Sequence, residues 1–335
     1  MRKVDPDKQL RTPFQSILDS FREEDKDLPR PLLQRFSDLD PASLKAFLGT
    51  WPDVPLKRKK LFLASLLDLL DSDTLVSFDA LGRSLLSDPD AVVRAGALRL
   101  LSESDDPKLI PILINIMQKD PEIKPRTEAT ALLGEFVMLG ELEELPQDKQ
   151  RLTEQALLSV ASNSEPAELQ RSAIEALGYS SRPEVEALIA SAFHRQDPDW
   201  IKSALVAMGR SSDERWEDDV LGMLLNENPR IRRAAVEAAG QLNLDDAGPI
   251  LIRLLDDEDD EEVISGAVWS LSEIGGEDAR IYLQSMLDRA TDPEQIDFIE
   301  DALDNLTFTD ELNQFDLMAY DPEADDEEEK ENRSS

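Results

Sequence analysis

The chain has 335 residues, 72 of them acidic and 36 basic, for a formal charge of −36 at neutral pH. Acidity on that scale repels phosphate and anionic lipid over most of a surface, which argues against a nucleic-acid or membrane-surface partner. Cysteine is absent, which excludes disulfides, thiol nucleophiles and thiolate metal sites.

The first residues, Met1-Arg2-Lys3-Val4-Asp5-Pro6, run straight into polar sequence without the apolar stretch of a secretory signal. Residues 1–57 are assigned to an N-terminal helical cap. The longest nearly apolar run, Leu61 to Leu70, is broken by Ser65 and Asp68. It is too short to cross a bilayer, which takes about 20 residues. A cytoplasmic chain is expected.

From 58 to 306 the sequence repeats itself. Six segments align without gaps, starting at Val93, Pro125, Leu169, Trp200, Ile231 and Val263, in steps of 32, 44, 31, 31 and 32 residues. The fifth place is always alanine (Ala97, Ala129, Ala173, Ala204, Ala235, Ala267), and the tenth is Gly or Ser (Ser102, Gly134, Gly178, Gly209, Gly240, Ser272). Apolar residues at the first, fifth, sixth and ninth places make the stripe of an amphipathic helix. The alanine predicts a close approach of two helices, and the tenth-place glycine predicts a left-handed helix end.

A second helix is expected after each Gly or Ser, with apolar residues about 11, 14 and 15 places on, as in Val220, Met223 and Leu224. Asp88-Pro89, Asp120-Pro121, Asp197-Pro198 and Asp292-Pro293 precede first helices. They are expected to cap them, Asp accepting free amides and Pro filling the first turn. The long step carries a 12-residue excess around Leu139 to Gln150. Degenerate units near Leu61 and Gln295 flank the six clear ones, as end repeats with a single neighbour should.

These segments resemble HEAT repeats, of the short type also seen in phycobilisome-lyase-related proteins. The motif D-P-x-x-x-V-R-x-x-A-x-x-x-L-G followed by L-x-x-L-L is best kept in Asn228 to Leu255, NPRIRRAAVEAAGQLNLDDAGPILIRLL. The segment from Leu32 to Leu39 also resembles the lead-in of uncharacterised bacterial HEAT-repeat domain proteins. The resemblance implies an all-α, right-handed α-α superhelix of about seven to eight helix pairs. Residues 307–335 would follow as an acidic, disordered tail, with Glu311 to Tyr320 either covering the last pair or docking a partner.

Function follows from the fold expectation: a non-enzymatic scaffold or adaptor whose concave surface, lined by first helices, holds a protein or peptide. Second, third and seventh places of those helices should face outward. They supply the candidate partner-binding residues Arg94, Arg126, Arg171, Lys202, Arg232, Arg233 and Trp269. Two roles fit the arginines: capture of an acidic or polar partner, or ion pairs with acids of neighbouring turns. Trp269 fits partner contact or packing between repeats.

No catalytic, metal or cofactor site is assigned. Some HEAT-like proteins are di-iron hydroxylases built on His-Glu pairs, but His194 is the sole histidine. A bilin-lyase-like or other HEAT-repeat enzyme is one alternative. An acidic regulatory or assembly factor binding a basic protein is another. The run Asp256 to Glu262 reads as a solvated turn that caps the next helix, or as a dock for a basic partner.

Overall fold

Side chains placed just before a helix set where it starts. Asp40, Asp90, Asp197, Asn228 and Asp260 each accept hydrogen bonds from amides of the turn that follows. Pro41, Pro183, Pro198 and Pro229 stand in first turns, where a missing amide costs nothing.

The computed structural model describes residues 13–21 and 28–319, and every regular element among them is helical. The first helices are α1 (Phe14–Ser20), α2 (Arg30–Leu33), α3 (Pro41–Thr50), α4 (Leu56–Ser72), α5 (Asp79–Leu85) and α6 (Ala91–Arg99). They are followed by α7 (Ile110–Lys119), α8 (Ile123–Glu141), α9 (Gln147–Ser162), α10 (Ala167–Leu177), α11 (Pro183–Phe193) and α12 (Pro198–Arg210). The series ends with α13 (Glu217–Leu221), α14 (Pro229–Gln241), α15 (Gly248–Asp257), α16 (Glu261–Ile274), α17 (Glu277–Arg289) and α18 (Pro293–Ala319).

The chain divides into two compact units at Ser180/Ser181, between α10 and α11. In the first unit, α1 to α3 and their flanking turns bring Phe21, Phe36, Phe47 and Trp51 around Phe62 of α4. The centroid distances to Phe62 are 4.8 to 6.0 Å. Beyond this aromatic cluster α4, α6, α8 and α10 stack in order, with α5, α7 and α9 each packed on the first helix that follows. The second unit repeats the plan: α12, α14, α16 and α18 stack, and α11, α13, α15 and α17 each lie against the next of them. This is the paired-helix packing of a HEAT-type α-solenoid, seen in each unit separately.

The six fifth-place alanines are all fully buried. None of the tenth-place glycines takes the expected left-handed conformation: Gly178 follows the last residue of α10 in a right-handed one, and the other three do not end their helices. Gly134, Gly209 and Gly240 lie inside α8, α12 and α14, and left-handed residues come three places later, at Ser212 and Asn243. After Gly240 the amide of Leu244 reaches back to the Ala239 carbonyl, closing the helix around Asn243. The glycines are needed for contact. A Cβ on Gly134 would stand 3.0 Å from the Ala176 Cα, and one on Gly209 2.9 Å from the Ala238 Cα. A Cβ on Gly240 would stand 2.9 Å from the Ser270 Cα. Small tenth-place residues of one repeat therefore meet small eighth-place residues of the next, so the helix backbones nearly touch.

The 12-residue excess is absorbed by lengthening α8 and α9, which meet where Gln150 donates to Glu141 near Gly140. At the far end, α18 continues without a break through 307–319, so the expected tail boundary at 306/307 falls inside a helix. Asp310 accepts bonds from the Gly276 amide and the Arg280 guanidinium, and Thr309 donates to the Ser272 carbonyl. These anchors fasten α18 across the α16–α17 turn, where Gly275 and Gly276 take φ of 77° and 92°. The acidic stretch 320–335 lies outside the described residues.

Candidate interaction surfaces

The seven residues picked from the repeat pattern sort into two groups. Second-place arginines are tied down. Arg232 donates from Nε and Nη2 to both oxygens of Glu258 at 2.7 Å, and from Nη1 to the carbonyls of Asn226 and Glu227. Arg94 donates to both oxygens of Asp120 at 2.8 and 2.7 Å, and from Nη1 to the carbonyls of Asp88 and Pro89. Arg126 bonds the Met117 carbonyl and Glu165. Arg94 and Arg232 each join their own turn to the acid of the next repeat's turn, and Arg126 joins the end of α7 to Glu165 before α10. Of the two roles open to Arg94, Arg126 and Arg232, the structure shows the ion pairs with acids of neighbouring turns, so their donors are engaged in bridging repeats.

In two of the bridges the acid also shapes the turn. Asp120 accepts the amide of Glu122, and Glu258 those of Asp259 and Asp260. Asp88 and Asp120 were expected to cap helices beside their prolines. Each stands two residues too early for that. Asp90 caps α6, and Glu122 precedes α8 with no side-chain cap. The Glu258 carboxyl is held below the usual carboxylate range by the Arg232 fork. Burial pushes the Asp120 carboxyl up, but the bonds from Arg94 and the Glu122 amide outweigh it and leave it low. At the N-terminal end of the series, Asp88 meets the buried Trp51 indole at 2.8 Å and Lys59 at 3.4 Å in place of an arginine.

Third-place Ala95 is buried, but the candidate residues at third and seventh places reach the surface. On α10, Arg171 is half-buried. In the second unit this face carries Lys202 and Val206 on α12, Arg233 and Glu237 on α14, and Trp269 on α16. Lys202 is half-buried, while Arg233 is exposed and ion-paired with Glu237 and Glu262. Trp269 is 40% exposed, and its indole N–H donates to Glu273 at 3.1 Å. Burial pushes the Glu273 carboxyl up, against that hydrogen bond and with added repulsion from Glu237. Between α12 and α14 a shallow pocket of about 260 Å³ is lined by Lys202, Val206, Arg233, Glu237 and Glu262 among others. The ridge is thus a mixed-charge surface with a standing indole, not a row of free arginines.

The acidic run 256–262 is divided residue by residue. Asp256 accepts from the Tyr282 hydroxyl, whose pKa burial and this bond push up to about 12. Glu258 holds Arg232, Asp260 caps α16, and Glu262 pairs with Arg233. Glu261 opens α16, and Asp257 and Asp259 remain beside a groove of about 940 Å³ between α13 and α15. Sequence reasoning missed this groove because it expected a full-length second helix through Met223 and Leu224. Instead α13 stops at Leu221 and tighter turns follow, with Met223 bonded to Val220 and Leu224 to Leu221. Gly222, next to the last helical residue, was the available signal.

His194 sits exposed at the end of α11, its Nδ1 2.7 Å from the Ala190 carbonyl. Trp200 and Trp216 are buried, with the Arg195 guanidinium 3.6 Å over the Trp200 ring. Among the described residues no group of three or more His, Asp or Glu side chains is placed to hold a metal ion. No described helix is long and apolar enough to cross a membrane.

The HEAT-repeat family profile matches residues 185–270 and, in a second overlapping pass, 217–303. Residues 185–303 carry HEAT repeats. Solved structures with a similar trace include the E. coli protein YibA, at 17% identity over 72% of this chain and 96% of that one, with a TM-score of 0.33. Human deoxyhypusine hydroxylase in complex with glycerol matches at 17% identity over 78% and 96%, with a TM-score of 0.34. Importin beta in an ammonium sulfate condition matches at 13% identity over 87% of this chain and 44% of that one, with a TM-score of 0.42. This chain therefore spans less than half the length of importin beta. At such TM-scores these likenesses carry nothing about activity or partners. Among curated proteins no relative matches.

Proposed function

We propose that this HEAT-repeat chain is a non-enzymatic, cytoplasmic scaffold that binds a protein or peptide along the outward face of α12, α14 and α16. The observation that supports this most is Trp269. An indole 40% exposed stands on a ridge whose corresponding neighbours are Val206 and Glu237. Large aromatic side chains held upright by a hydrogen bond are the typical anchors of protein interfaces, because they bury much area at little entropic cost. Stacked repeats favour this use, since they display side chains at regular intervals along a rigid row. The ridge chemistry favours a polar, mixed-charge partner segment over a purely acidic one, because Arg233 is already neutralised by Glu237 and Glu262. Nucleic acid is disfavoured by the −36 charge.

A photo-crosslinking side chain at position 269, set against one at Asp246 as a control, tests the reading in cells of the source organism. The expected result is one or a few discrete protein adducts from 269 alone, lost when Arg233 and Lys202 are both changed to Glu. Equal adducts from both positions, or adducts indifferent to the ridge substitutions, would remove the proposal.

A further inference from the structure

We infer that the groove between α13 and α15 is a second docking site, taking a basic peptide segment that carries one apolar anchor residue. It shares only Pro229 and Asp260 with the pocket on the Trp269 ridge and stands independently of that reading.

The groove exists because one helix is short. α15 runs ten residues and α11 runs eleven, whereas α13 has five. Where a longer α13 would lie against α15, there is open volume of about 940 Å³. The loss of a covering turn leaves apolar side chains uncovered. Leu225 is 68% exposed, and Leu221 and Ile250 are half-buried beside Leu254 on the groove floor. An isolated exposed leucine is ordinary. Four aliphatic side chains converging on one concave space are a seat for an apolar group.

Charge selects the occupant. The lining holds five carboxylates, Glu227, Asp257, Glu258, Asp259 and Asp260, against the guanidiniums of Arg232 and Arg253. Arg232 is bound to Glu258 through both oxygens. Asp260 caps α16. Glu227, Asp257 and Asp259 are exposed on the rim. A leucine or methionine flanked by Lys or Arg would bury its apolar side chain against Leu225 and Ile250 while its cations reach these carboxylates. An acidic segment would meet repulsion from the rim, and a wholly polar one would leave the aliphatic floor uncovered.

The test uses the full chain and three dye-labelled synthetic nonapeptides in fluorescence anisotropy. One has a central Leu flanked by Lys and Arg, the second replaces that Leu by Ser, and the third replaces the cations by Glu. The Leu-centred basic peptide is expected to bind saturably. The Ser peptide should bind about tenfold more weakly, and the Glu peptide should not bind. Leu225→Ser in the protein should reproduce the tenfold loss. The Asp257→Asn/Asp259→Asn double variant should weaken binding and flatten its salt dependence, whereas Asp245→Asn/Asp246→Asn should leave it unchanged. Because Leu225, Asp257 and Asp259 are exposed, the melting temperature should stay constant across these variants. Equal binding of the Leu and Ser peptides, or of wild type and Leu225→Ser, would mean diffuse attraction to an acidic surface and would overturn the inference. So would the absence of saturable binding.

Discussion

Arg232 and Glu258 are joined by two parallel hydrogen bonds of 2.7 Å across one repeat boundary, and Arg94 and Asp120 reproduce the join at another. In both pairs the acid lies 26 residues after the arginine, and the third nitrogen reaches carbonyls six and five residues before it. The same fork at the same offsets identifies a structural unit of the array. It cross-links turn to turn on the flank of the helix stack, where helices alone supply no directional contact.

Arg232→Ala should lower unfolding free energy by about 2–3 kcal/mol, because the Glu258 carboxylate and two backbone carbonyls lose their donors in a largely buried place. The Glu258 side chain is only 5% exposed. Arg232→Lys should recover less than half of the loss, since an ammonium cannot serve both oxygens and the carbonyls together. Urea unfolding of the three proteins measures this. A change under 0.5 kcal/mol for Arg232→Ala would contradict the bridging role.

Acid sensitivity follows from the same bridges. Glu258 and Asp120 are held below their unfolded pKa values. Carboxyls shifted down stabilise the fold fully above the unfolded value, and that stabilisation drains away as pH falls through the folded value. Melting temperature should therefore fall below about pH 4. Arg232→Ala should start lower at neutral pH and show a shallower acid limb, because its Glu258 has lost the largest cause of its downward shift. Parallel acid limbs in the two proteins would refute this account.

Glu273 carries the opposite shift and the opposite consequence. Its carboxyl is pushed up by burial, so the charged form is disfavoured in the fold and its ionisation costs stability as pH rises. Glu273→Gln keeps an oxygen to accept the Trp269 N–H and removes the charge. The variant should melt higher than wild type at pH 7, and the gap should close at acid pH where Glu273 is protonated. A scanning-calorimetry series across pH reads both features. A lower melting temperature at pH 7 would show that the carboxylate is a net asset there.

Gly209→Val should destabilise the second unit by about 2–3 kcal/mol through overpacking. Its Cβ would press on the Ala238 Cα, and backbone cannot swing aside. Gly248→Ala, where a Cβ meets nothing within 4 Å, should be neutral or slightly stabilising. Thermal melts of the two variants give the comparison, and equal melting temperatures would dismiss the close-contact explanation.

Local spacing determined the repeats, the helix pairs and the buried ridge, because an apolar stripe and a small residue act through the helix they sit in. Ala97, Ala173 and Ala235 could be placed in the core from their period alone, and they are there. Gly209 and Gly240 read from the sequence as left-handed helix ends, whereas their demand for space comes from the next repeat's Ala238 and Ser270. Arg94, Arg126 and Arg232 shared a helical face with Arg233, yet only three-dimensional packing decided that the first three reach sideways to acids 26 to 39 residues on. A long flexible side chain takes its role from whatever partner the fold brings within reach. The groove beside Leu225 belongs to the same class: it is a missing turn of helix, and only the packed neighbour α15 makes that gap a surface.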